Sequence, residues 1–71
     1  MITEKKLKEP YYNLKILISK KGYTQNDVAE KIGMPRSTFN LKINRTKGRD
    51  FDLTEASNVA KVLDVKLDDF F

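Results

Sequence analysis

Residues 24–43, TQNDVAEKIGMPRSTFNLKI, restrict the fold of this chain more than any other stretch. Thr24 is a good N-cap residue, and Asp27, three positions on, is a shorter-armed version of the capping-box acid, so a helix is predicted to open here. Tyr23 before the cap and Val28 at the fourth helical position suit a hydrophobic staple. Val28, Ala29 and Ile32 then share one face. Ala29 marks a place where another helix crosses closely, because a larger side chain would hold the two backbones apart. Gly33 follows the last apolar residue, where a positive φ is expected. Pro35 fits the first turn of the next helix, where its missing N–H costs nothing. Phe39 and Ile43, four apart, give that helix its inward stripe and leave it few other core residues. Two short helices around a tight turn, one bracing and one presented outward, are the layout of a helix-turn-helix.

The flanking segments supply a frame for this unit. Met1–Pro10 (MITEKKLKEP) is polar, lysine-rich and closed by a proline, and reads as a flexible N-terminal arm. A first helix is predicted from Tyr11 to Lys21 on the spacing of Leu14, Leu17 and Ile18. Gly22 ends it, with Lys20 and Lys21 well placed in the last turn. Residues 44–50 (NRTKGRD) read as a flexible basic loop around Gly48. Asp52 with Glu55 forms a second capping box, opening a helix through Leu63 whose buried face is Leu53, Ala56, Val59, Ala60 and Leu63. Val65, Leu67 and Phe70 predict a short fifth helix that closes the core. Repeats and strand alternation are absent. The expected fold is all-α: a compact five-helix domain over residues 11–71.

Composition narrows the function classes. At 71 residues the chain is one domain, and a domain of that size buries only about 60% of its unfolded surface. It has no cysteine and no histidine, which removes disulfides, thiolate metal sites and the commonest catalytic base and nucleophile. Asp68 and Asp69 are adjacent, so their carboxylates diverge rather than converge on a metal. No glycine-rich phosphate loop is present. The expectation is a non-enzymatic protein with no cofactor, no metal and no small-molecule ligand. The longest apolar run is too short to span a bilayer and the lysine-rich start lacks a signal-peptide apolar region, so a cytoplasmic protein with no membrane partner is expected. Residues 1–50 carry twelve Lys/Arg against five Asp/Glu, a net +7, whereas residues 51–71 carry two against five, a net −3. Such polarity suits a module that turns one end towards a polyanion, and equally suits ordinary solvated surface.

The spacing LxxL…KG-Y-TQxDVAxKIGMPRST, followed by DLxxAxxVAxVLDVxLDDF, resembles the Cro/CI-type (XRE) helix-turn-helix family of phage and bacterial repressors. The likeness covers roughly Asn13 to Phe71. The block around the second helix, the RST opening of the third and the VAKVLDVKLDDF ending are each weak alone and specific together in that order. The resemblance implies a lambda-repressor-like fold in which the third helix lies in the major groove of double-stranded DNA. The matching base-reading positions are Arg36, Ser37, Asn40 and Leu41. Gln25 matches a residue that meets a phosphate beside the groove, and Asn44, Arg45, Thr46 and Lys47 match a second phosphate contact. Two positions depart from the family. Many members pair an Arg on the first helix with a Glu at the end of the third, where this chain has Ile18 and Ile43, so an apolar contact is expected to replace the ion pair. Lys42 stands at a site usually apolar, so either its stem snorkels over the core edge or the third helix is rotated slightly.

The chemistry of these side chains fits the implied roles, each beside a plainer reading. Arg36 can donate two parallel bonds to guanine O6 and N7, worth about 1–3 kcal/mol of discrimination. Its alternatives are a phosphate or a nearby acid. Asn40 can bond bidentately to adenine or simply face solvent. Of Ser37 and Thr38, one is expected to reach phosphate or base while the other helps to start the helix, with Ser37 the better candidate for DNA. Leu41 leaves the core stripe and suits a thymine methyl group, or is a lone exposed leucine. Gln25 lies in a first helical turn, where free N–H groups favour an anion. Lys42, Arg45, Lys47 and Arg49 are expected to neutralise phosphates without reading sequence.

The predicted function is therefore a sequence-specific DNA-binding transcriptional regulator, a repressor of phage or mobile-element type that acts by operator occupancy. One module of this size covers too few bases for useful specificity, so a homodimer on a near-palindromic site is expected. Val65, Phe70 and Phe71 are the candidate dimer contacts, although completion of the monomer core competes for Leu67 and Phe70. The rival is a protein-interaction module, such as an antitoxin or accessory factor. The lack of any acid between Met34 and Asn44 favours DNA.

Overall fold

The computed structural model describes residues 9–71, so most of the arm expected over residues 1–10 lies outside the described residues. Four helices follow: α1 (Tyr12–Lys20), α2 (Gln25–Lys31), α3 (Arg36–Ile43) and α4 (Leu53–Leu63). Single 3₁₀ turns occupy Thr46–Gly48 and Leu67–Asp69, and no strand occurs among the described residues.

Both capping boxes form. Thr24 Oγ1 accepts from the Asp27 N–H at 3.1 Å, and the Asp27 carboxylate accepts from the Thr24 N–H at 2.8 Å. Asp52 and Glu55 repeat the exchange at 2.7 and 3.0 Å at the head of α4. The Thr24 N–H and then its hydroxyl hold the Asp27 carboxyl below its usual pKa of 3.8. A carboxyl depressed by folding stabilises above its unfolded pKa and stops doing so as pH falls through the folded value. Asp27→Asn is thus expected to lower the melting temperature at neutral pH. The deficit should close once the wild-type carboxyl is protonated, below 3.8, in a series of thermal melts taken down the acid range.

Three of the four helices, α1, α2 and α4, end by one device. Gly33, at φ +73°, reverses the chain so that the Met34 N–H returns to the Ala29 carbonyl at 2.9 Å, which satisfies a carbonyl left open by the end of α2. Gly22 does the same for α1, where Tyr23 reaches the Ile18 carbonyl. Asp64 performs this turn after α4 at φ +56° with no glycine, a feature that the sequence did not announce.

Three expectations need correction. Pro35 is not inside the first turn of α3; its ψ of 138° makes it the cap, and the helix starts at Arg36. Leu53 is not part of the buried face, being 62% exposed. As the first residue of α4 it sits at the edge of the arc set by Ala56, Val59, Ala60 and Leu63. The fifth helix shrinks to one 3₁₀ turn. Leu67 and Phe70 stand three apart, the repeat of that tighter coil, so one turn is enough to send both towards the core.

One core gathers residues from every helix, including Leu14 and Ile18 of α1, Val28 and Ala29 of α2, Phe39 and Ile43 of α3, and the α4 face. Ile18 and Ile43, the expected apolar pair, are 2% and 0% exposed and lie in the same core. Tyr11 and Phe51 also enter it. Their rings lie 5.5 Å apart, and Phe51 meets Phe39 at 5.3 Å with planes tilted by 59°. Phe51 precedes the Asp52 cap as Tyr23 precedes Thr24, so the staple logic applied at α2 would have found it. A backbone bond from the Tyr11 N–H to the Ile43 carbonyl, 2.9 Å long, ties the start of α1 to the end of α3.

Candidate nucleic-acid interface

Phe39 and Ile43 are the buried residues of α3, which turns its Arg36–Ser37–Asn40 side outward. Arg36, Ser37 and Asn40 are exposed and Leu41 is half-buried. The spacing makes two parallel rows, Arg36 with Asn40 and Ser37 with Leu41, each pair one turn apart. These four residues and Asn26 of α2 line a shallow hollow of about 500 Å³. None of the polar side chains around it has a hydrogen-bond or ionic partner among the described residues. Asn26 escaped the sequence reading because nothing marks it except its position in the first turn of the bracing helix. Gln25 precedes it there, where the opening N–H groups of a helix lack intrahelical acceptors.

The expected phosphate contacts divide into two groups. Lys42 is withdrawn from the basic surface: its ammonium donates to both Glu55 oxygens, at 2.8 and 2.7 Å, with both side chains largely covered. The bridge ties α3 to α4. Asn44 is equally engaged. Its Oδ1 accepts from Lys15 Nζ at 2.6 Å and its Nδ2 donates to the Asn40 carbonyl at 2.9 Å. Arg45 lays its guanidinium over the Tyr11 ring, 4.0 Å from the centroid, with Nε 3.6 Å from Asp50 Oδ2. Gln25, Thr38, Thr46, Lys47 and Arg49 have no such side-chain engagement among the described residues. Lys42→Ala is accordingly expected to lower stability by about 1 kcal/mol, as for a partly covered charged hydrogen bond. It should leave the salt slope of any DNA affinity unchanged. Urea unfolding and a salt titration of the same variant check both halves.

The loop after α3 is a pinned turn rather than the flexible segment expected. Arg45 and Lys47 adopt left-handed backbone at φ 54° and 52°, conformations that cost a non-glycine residue about 1–2 kcal/mol each. The Tyr11 hydroxyl donates to Asp50, while Arg45 covers the same ring. Burial, and next the Asp50 carboxylate, hold the Tyr11 phenol above its ordinary pKa, so it stays a donor.

The dimer candidates also separate. Phe70 is 9% exposed and belongs to the monomer core, so it is removed as a contact between copies. Val65 is half-buried against that core. Phe71 is 49% exposed, with its ring stacked over Tyr11 at 6.3 Å.

Among the described residues no group of His, Cys, Asp or Glu could hold a metal ion, and no helix is long and apolar enough to cross a membrane. A bracing helix, a tight glycine turn and an outward polar helix on an all-helical core define a helix-turn-helix domain. A family model described as the Cro/C1-type HTH DNA-binding domain matches residues 13–71, and this chain belongs to that family. Searches of curated proteins and of solved structures found no match.

Proposed function

We propose that this protein is a sequence-specific transcriptional regulator, a repressor of phage or mobile-element type that occupies an operator and thereby blocks transcription. The observation that carries this reading is the outer face of α3. Arg36, Ser37 and Asn40 stand in solvent, their polar ends unpaired among the described residues, on a helix held in place from three sides by α2, the Tyr11–Ile43 backbone bond and the Lys42–Glu55 bridge. Buried or paired side chains would have argued for a structural helix. Arg36, Ser37, Asn40 and Leu41 read bases, while Gln25, Thr38, Thr46, Lys47 and Arg49 hold the backbone of the duplex. Two copies act together on a near-palindromic site, with exposed Phe71 and half-buried Val65 as the remaining apolar contacts between them.

The test compares two variants over a panel of duplexes recovered by selection from a random pool. Arg36→Ala is expected to relax preference at one base pair, with about 1–3 kcal/mol of discrimination lost there. Lys47→Ala is expected to weaken every duplex alike. Identical profiles from the two variants would overturn the division between base-reading and phosphate-holding residues.

A further inference from the structure

The hollow between α2 and α3 differs chemically from the rest of the basic surface. Leu41 is its apolar lining residue and is half-buried, so it offers a fixed hydrocarbon surface rather than a swinging one. Around it stand two carboxamides, Asn26 and Asn40, and the Ser37 hydroxyl, with Arg36 completing the rim. Asn26 has no part in the opening of α2, because Thr24 and Asp27 make the whole capping box. It is exposed, and its amide has no partner among the described residues.

We propose that this hollow is a subsite for a 5-methylated pyrimidine in duplex DNA, with thymine as its first occupant, and that Asn26 is a specificity residue supplied by the bracing helix. The inference rests on the DNA-binding reading above. On the major-groove edge of a T·A pair a methyl group stands beside the thymine O4 acceptor, the adenine N6 donor and the adenine N7 acceptor. An apolar surface flanked by carboxamides, each both donor and acceptor, complements that edge. A C·G pair offers no methyl there and presents a donor on the pyrimidine side. Arg36 carries donors alone, matching the N7 and O6 acceptors of guanine, so the hollow is suited to thymine at one end and guanine at the other.

The experiment uses the full chain and a duplex recovered from a random pool. Each thymine is replaced in turn by deoxyuridine, which removes the methyl group and keeps O4 and the pairing. One thymine per half-site is expected at which the replacement weakens binding about four-fold, the equivalent of one buried methyl at roughly 0.8 kcal/mol. Leu41→Ala should abolish that difference, and Asn26→Ala should reduce the T·A preference at the same position and at no other. Should Leu41→Ala fail to fold, the deoxyuridine scan and the exposed Asn26→Ala variant decide in its place. A salt-dependent complex in which no deoxyuridine matters overturns the subsite and leaves DNA binding standing. So does a thymine preference that survives in a folded Leu41→Ala, or an Asn26→Ala variant with an unaltered profile. Absence of any salt-dependent duplex binding overturns both.

Discussion

Ile43→Glu is expected to unfold the domain. Ile43 is 0% exposed and shares its core with Ile18, Phe39 and Leu14, so a carboxylate at that position would be buried with no cation within the core. An uncompensated buried charge costs about 3–5 kcal/mol, and the loss of isoleucine packing adds to it. A domain of this length holds only about 0.05–0.15 kcal/mol per residue in total, so the substitution removes most or all of the margin. Ile43→Val, which trims one methylene, should cost only about 0.5–1.5 kcal/mol. Pairing Ile43→Glu with Ile18→Arg should recover part of the loss by setting a cation against the buried carboxylate. Circular dichroism with thermal and urea unfolding of the wild type, Ile43→Glu, Ile18→Arg and the double variant gives the cycle, with Ile43→Val as the conservative control. An Ile43→Glu protein with wild-type stability would show that the two isoleucines do not form the contact inferred for them.

The second large effect is ionic. Affinity for a selected duplex should fall about 10²- to 10³-fold between 50 and 200 mM salt. The structure sets this magnitude by counting cations that remain available. Lys42 is bound to Glu55 and Arg45 is stacked on Tyr11, which leaves Lys47, Arg49 and Arg36 on this face among the described residues. On the proposed reading, two copies neutralise about four to six phosphates, for a log–log slope of roughly −4 to −5. Had all four loop and helix-end cations been engaged, as the sequence alone suggested, the slope would be steeper. A fluorescence titration over several salt concentrations measures it. Salt-independent weak binding would instead support a protein partner for the same helix face.

The frame was legible because local chemistry determines it. Capping boxes at Thr24 and Asp52, the glycine turns at Gly22 and Gly33, and helical apolar spacing all act within one or two turns of chain, and the structure forms each of them. What escaped depends on contacts distant in sequence. Lys42 looks like a free cation until Glu55, thirteen residues on, is brought beside it. Asn44 and Arg45 look like loop residues until α1 delivers Lys15 and Tyr11 to them. Tyr11 itself reads as the first residue of a helix, yet it joins three segments. At the site, the outward row of α3 could be read from the two apolar positions that remain inward. Asn26 could not, because its place beside that row is set by the angle at which two helices cross.

With Phe39 and Ile43 alone anchoring α3 in the core, the stability of the domain exerts almost no veto over its outer positions. Arg36, Ser37 and Asn40 can be exchanged as a set while the scaffold beneath them stays unaltered. Target preference is thus free to drift, or to be rewritten by design, faster than the fold that carries it.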